Sequence, residues 1–286
     1  MKLFPKMELA VKAMALCCEN KDDGKTRCGD AEKSPIARSE VFNETWMLRL
    51  TLALIHDYDD NKYFRPLPND ADGKKTEALA RIRTAVKRRW ISEGGLTAAF
   101  ENEGATWADA IVGNIKLDDS EAKPKRGVAI DIDESSSKSI VVIEAKMNSA
   151  LASGITHARD YNQAARNIAC LAMLTQKDSA LAEKSAFIIF APAKKLEKWN
   201  KAPQEMIKNT WETIEKQYKE HGRTLQAEES HMKSAVDHIV KNSMAISWEE
   251  VIQSMANDQN ESCEILKWFY EQTCNEYGIK PLWNKG

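Results

Sequence analysis

Apolar positions recur along the chain with two different rhythms. Through SEVFNETWMLRLTLALIHD and TEALARIRTAVKRRWIS they return every three or four residues, the spacing of one helix face. Residues 6–19 share this rhythm and predict an amphipathic helix. Ser39 is placed to cap the second helix, which should run to about Asp57. Residues 20–36 and the stretch DYDDNKYFRPLPNDADGKK are rich in polar turn formers and predict loops. After Gly95 the rhythm changes. LTAAFE, TWADAIVGNIKL, GVAIDID and SIVVIEAK are short apolar or alternating runs that predict four strands, with DDSEAKPKR and ESSSK as connections. HARDYNQAARNIACLAMLTQ predicts a long helix starting near His157, and SAFIIFAP a strand buried on both faces. From about Lys195 the chain reads as helical, apart from a strand-like MAIS before WEEVIQSMA.

This order predicts an α/β fold: a mixed central β-sheet flanked by helices, with a helical C-terminal extension. The helix between SIVVIEAK and SAFIIFAP is long enough to cross over between parallel strands. Residues 1–286 read as one domain, with a core over about 39–192 and the extension over about 195–286.

Composition narrows the classes. The chain has 286 residues, 43% hydrophobic and 29% charged, an ordinary globular balance. Its formal net charge of -2 means that any nucleic-acid contact must be local. No apolar run approaches the roughly 18 residues of a membrane span, and the first residues do not read as a signal peptide. The six cysteines form no C-x-x-C pair and no zinc spacing, which reads as reduced thiols in a cytoplasmic protein.

The candidate chemistry lies around the strands. Glu-x-Lys occurs three times, but only Glu144-Ala145-Lys146 follows an apolar run, Ile140 to Ile143. Alternation along a strand puts Glu144 and Lys146 on one face. They are either a surface ion pair at a wet strand end or charges that meet partners there. Asp109 heads another apolar strand. If the two strands run antiparallel, it comes close to Glu144, and two such acids raise each other's pKa. A divalent cation would relieve that conflict, and oxygen ligands suit magnesium or manganese. Tyr161, Asn162, Gln163, Arg166 and Asn167 make a polar cluster near the start of an otherwise apolar helix. Glu40 and Glu44 share a helix face, with Glu44 the candidate to point at the sheet. Asp131 and Asp133 compete with Asp109 as the metal aspartate.

Glu44 on an early helix, Asp109 opening a strand, Glu144-Ala145-Lys146 closing one and Gln163 on the next helix resemble the PD-(D/E)xK nuclease superfamily, over roughly Ser39 to Pro192. Ala108 stands where the family name has proline, and GVAIDID lengthens the gap before Glu144. The resemblance implies a restriction-endonuclease-like core and hydrolysis of phosphodiesters in nucleic acid, with DNA as the expected partner. It implies a Mg2+ or Mn2+ cofactor held by Asp109, Glu144, the Ala145 carbonyl and Glu44. Lys146 would position the attacking water, and Gln163 would orient a phosphate or a ligand. Lys87, Arg88, Arg89, Lys123, Lys125 and Arg126 are candidate phosphate contacts. The other readings are a non-catalytic binding module on the same fold and an unrelated metal-independent protein. The tryptophan-bearing C-terminal third (Trp199, Trp211, Trp248, Trp268, Trp283) would cover the sheet, bind a partner or build a homodimer.

Overall fold

The structure is a computed structural model that describes residues 27–28, 36–37, 42–57, 65–67, 70–101, 103, 106–117, 128–132, 139–154, 158, 160–255 and 261–283. The expected helix over residues 6–19 lies outside these. Strands β1 (Arg27–Cys28) and β2 (Ile36–Ala37) pair with each other within the segment expected to be a loop. Helices α1 (Glu44–Asp57) and α2 (Lys74–Val86) follow. Then come β3 (Trp90–Leu96), β4 (Thr106–Gly113), β5 (Ile115–Leu117), β6 (Val128–Ile132) and β7 (Ile140–Ala145). Helices α3 (Gln163–Thr175) and α4 (Ser179–Lys184) lead to β8 (Ala186–Ala191). Four helices follow: α5 (Ala193–Trp199), α6 (Ala202–Lys208), α7 (Thr210–Lys219) and α8 (Glu229–Asn242). Strand β9 (Met244–Ser247) and helices α9 (Trp248–Met255) and α10 (Glu261–Glu276) complete the described chain.

The sheet has seven strands in the order β5-β6-β3-β4-β7-β8-β9. Strands β3, β4 and β7 are antiparallel neighbours, whereas β7, β8 and β9 run parallel. This is the expected α/β class with a mixed sheet between helical layers. Every residue of β7 and β8 is buried, because helices cover both faces. One core gathers α1, α2, α9 and α10 around Val141, Ile143 and Ile188. The other gathers α3, α4 and α6 to α8 around Ile140, Val142 and Ile189. The C-terminal third is therefore no appendage. It supplies β9 and parts of both layers, and Trp248 is fully buried against Phe190.

Several element boundaries differ from expectation, and TWADAIVGNIKL, expected as one strand, is divided into β4 and β5. WISEGGL is a strand, not a helix end followed by a break. The glycines belong there because a Cβ on Gly94 would stand 2.6 Å from Ile111 and one on Gly95 2.8 Å from the Trp107 ring. LTAAFE is not a strand: Leu96 ends β3, and Phe100 makes only an isolated bridge to Leu225. Helix α1 starts at Glu44 because the Asn43 side chain accepts from Trp46 N–H at 3.0 Å, so the cap is Asn43 and not Ser39.

Gly113 ends β4 with φ 124, and a Cβ there would lie 2.0 Å from the Ser139 carbonyl oxygen. Gly113→Ala therefore combines a strained backbone with a backbone clash. It is expected to cost about 3 kcal/mol of stability, read as a drop in the urea midpoint. An unchanged midpoint would contradict the packing described for this turn.

Candidate active site

The register between β4 and β7 creates the site. Ala110 pairs with Ile143, Ile111 with Val142 and Val112 with Val141. One step further along the same ladder brings Asp109 opposite Glu144. The Ala145 N–H donates to Asp109 Oδ2 at 2.8 Å, which ties the two strand ends together. The antiparallel relation expected between these strands is present. Asp131 lies on β6, three strands from β7, and so roughly 14 Å away in the sheet. Asp133 lies outside the described residues.

Glu144 is 2% exposed and Lys146 8% exposed. Lys146 Nζ lies 2.6 Å from Glu144 Oε1, forming a buried ion pair. Gln163 Nε2 donates to the same oxygen at 2.5 Å, and Asn167 Nδ2 lies 3.4 Å from Oε2. Both amides come from one face of α3, at i and i+4. That helix starts at Gln163 rather than near His157, which is not among the described residues. The Asn162 side chain caps it, accepting from Ala165 N–H at 2.9 Å. The cap is what places Gln163 in the first turn. On the other side of the sheet end, Glu44 in the first turn of α1 accepts from Met147 N–H at 3.0 Å. Lys146 N–H donates to the Phe190 carbonyl at 2.7 Å, fixing the chain as it leaves β7. Glu44, Asp109, Glu144, Ala145, Lys146 and Gln163 thus converge.

Burial, followed by the charge of Asp109, pushes the Glu144 carboxyl up to about 8. Burial likewise raises Asp109, against the pull of Lys146 and the Ala145 N–H. Glu44 is raised mainly by burial. For Lys146, burial works against the charged form, but Glu144, Asp109 and Glu44 together hold its pKa above the ordinary lysine value. Among the described residues no group of three or more His, Cys, Asp or Glu side chains is set to hold a metal ion. Their oxygens face protein donors instead: Glu144 faces Lys146 and Gln163, Asp109 the Ala145 N–H, and Glu44 the Met147 N–H. The donor chemistry nonetheless fits a hard cation. The charge of Asp109 raises the Glu144 carboxyl on the neighbouring strand, Glu44 lies close enough to feel Asp109 as well, and all the donors are oxygen.

Two participants escaped the sequence reading. Asn167 was visible only as part of a polar cluster, yet it reaches the second oxygen of Glu144. Glu93 continues the acid row onto β3 opposite Asp109, adopts φ 57, and adds to the negative field there. Its strand was hidden by the glycine pair. The backbone of the basic run Lys87-Arg88-Arg89 lies toward the other end of β4: the Arg89 carbonyl accepts from Gly113 N–H, four residues and roughly 13 Å along the strand from Asp109. Lys123, Lys125 and Arg126 lie outside the described residues. Arg166 instead pairs at 2.6 Å with Glu103, whose side chain is buried. Cys170, Cys263 and Cys274 are buried thiols outside any disulfide, and no helix among the described residues is long and apolar enough to cross a membrane.

No family model, curated protein or solved structure matches the chain.

A raised carboxyl pKa means that folding favours the protonated form. In chelator-treated protein, the stabilising contribution of Glu144 is whole below about pH 4.5 and lost as pH climbs through about 8. Thermal unfolding across that window should show the melting temperature falling. The slope should be shallower in Asp109→Asn, which removes the neighbouring negative charge. A slope in the variant equal to that of wild type would contradict the pairing.

Proposed function

We propose that this protein is a magnesium- or manganese-dependent nuclease of the PD-(D/E)xK type, hydrolysing phosphodiester bonds in nucleic acid, with DNA the expected substrate. The observation that carries the reading is the meeting of Asp109, Glu144, Lys146 and Gln163 with Glu44 at one end of the sheet. A mixed sheet between helical layers supports it as well.

Asp109 and Glu144 would hold the cation, with Glu44 and the Ala145 carbonyl as further ligands. When bound, the ion supplies an acidified water and positive charge beside the phosphate. The chain's own groups do the rest. Lys146 carries an ammonium that the surrounding acids keep protonated, aimed to balance charge that builds on the phosphoryl oxygens. Gln163 and Asn167 fix the Glu144 carboxylate from the α3 side. Glu44 holds the backbone just after Lys146. The buried surroundings strengthen each of these interactions relative to water.

Plasmid DNA incubated with wild type and magnesium or manganese should be nicked. Lys146→Met, which keeps the aliphatic stem, should lose at least about a hundredfold in rate, comparable to losing one preorganised charge-stabilising donor. Asp109→Asn should behave alike. Melting curves would verify that both variants fold. Undiminished cleavage by Lys146→Met would remove Lys146 from the chemistry. No cleavage by wild type with either metal would sink the reading.

One observation favours a second reading, a non-catalytic module on the same fold. Every acid of the cluster already meets a protein donor, so the network is coherent without a metal. Wild type that binds DNA and never cuts it would support this alternative.

A further inference from the structure

The loop after Lys146 is joined to a basic segment that the sequence reading passed over. Lys195 Nζ donates to Asn148 Oδ1 at 2.5 Å, two residues beyond Lys146. Lys195 belongs to α5, within KKLEKWNK, where four lysines and one glutamate fall between residues 194 and 201. The position of α5 is set at two points. Its first N–H, on Ala193, donates to the buried Glu249 at 2.9 Å. Strand β8 immediately precedes it, and β8 holds Lys146 through the Phe190 carbonyl. Lys194 and Lys198 stand at i and i+4 on one exposed face, and Lys201 follows in the turn. Among the described residues none of these three has an acidic partner. By contrast, Lys216, Lys219 and Lys233 are each paired with an aspartate or glutamate.

In a chain of net charge -2, an unneutralised basic ridge beside a buried acidic centre is a local feature. We infer that Lys194, Lys198 and Lys201 form a phosphate-binding ridge that takes the backbone of a nucleic-acid strand as it runs past the Glu144–Lys146 centre. This rests on the nuclease reading and names the surface that holds its substrate. Flexible ammonium groups along an exposed edge suit contacts to successive phosphates, which position a strand without reading its sequence.

The test is binding in a chelator, where no cleavage occurs. Fluorescence anisotropy would follow a labelled duplex and its single strand over about 50 to 200 mM salt. The variant Lys194→Gln/Lys198→Gln/Lys201→Gln leaves Lys195 and the catalytic loop untouched. The control Lys177→Gln/Lys184→Gln/Lys241→Gln makes the same charge change on exposed residues near the opposite end of the sheet. The ridge variant should bind at least about tenfold more weakly at low salt. Its log–log salt slope should be shallower by about two to three phosphate contacts, each worth ~0.9 for duplex DNA. The control should follow wild type. A ridge variant that tracks the control, or a wild type that binds no nucleic acid, overturns the inference. The two claims fail separately. Ridge-dependent binding without cleavage sinks the catalytic reading alone, and cleavage with ridge-independent binding sinks the ridge alone.

Discussion

The opposition of Asp109 and Glu144 across β4 and β7 is the constraint on which the rest depends. Two carboxylates taken out of water on adjacent strands cannot both stay ionised without compensation. The protein offers it in three ways: the Lys146 ammonium, the amides of Gln163 and Asn167, and the Ala145 N–H. Even so, both acids remain raised above their ordinary values. Burial is the main cause for each, and the charge of Asp109 adds to it at Glu144. A buried ion pair of this kind contributes little to stability compared with a well-packed apolar pair. The pair stands at the end of β7, beside the two hydrophobic cores rather than within either.

The helices serve the same centre. Asn43 and Asn162, capping α1 and α3, bring Glu44 and Gln163 into first turns that meet the end of β7 from opposite sides. Glu249 does similar work at longer range. It accepts N–H groups from Ala193 and Leu282 and so fixes both α5 and the C-terminal segment beside the sheet. The result is a buried acidic centre with a basic ridge at its edge, an uneven distribution that the near-neutral net charge conceals.

Much of this could be read from residues. SIVVIEAK and SAFIIFAP are continuous apolar runs, so β7 and β8 were visible as buried strands, and period-two alternation set Glu144 and Lys146 on one face. The Asp109–Glu144 meeting followed once the two strands were antiparallel. Other features were hidden for physical reasons. Ser39 and Asn43 are both good caps, and only tertiary packing decides between them. Gly94-Gly95 looked like a break, because the Ile111 and Trp107 side chains that demand small residues lie in another strand. HARDYN continued a helical rhythm that the Asn162 side chain interrupts. The role of the C-terminal helices depended on which faces they cover, and periodicity does not carry that information.

The most direct measurement is manganese binding followed by the loss of the free-ion electron paramagnetic resonance signal, in wild type and in an Asp109→Asn, Glu144→Gln double variant that melts cooperatively. Saturable depletion of the free-ion signal by wild type, abolished in the double variant, is the predicted result. Equal binding by both proteins, or none by wild type, would contradict a cation site built on the opposed acids.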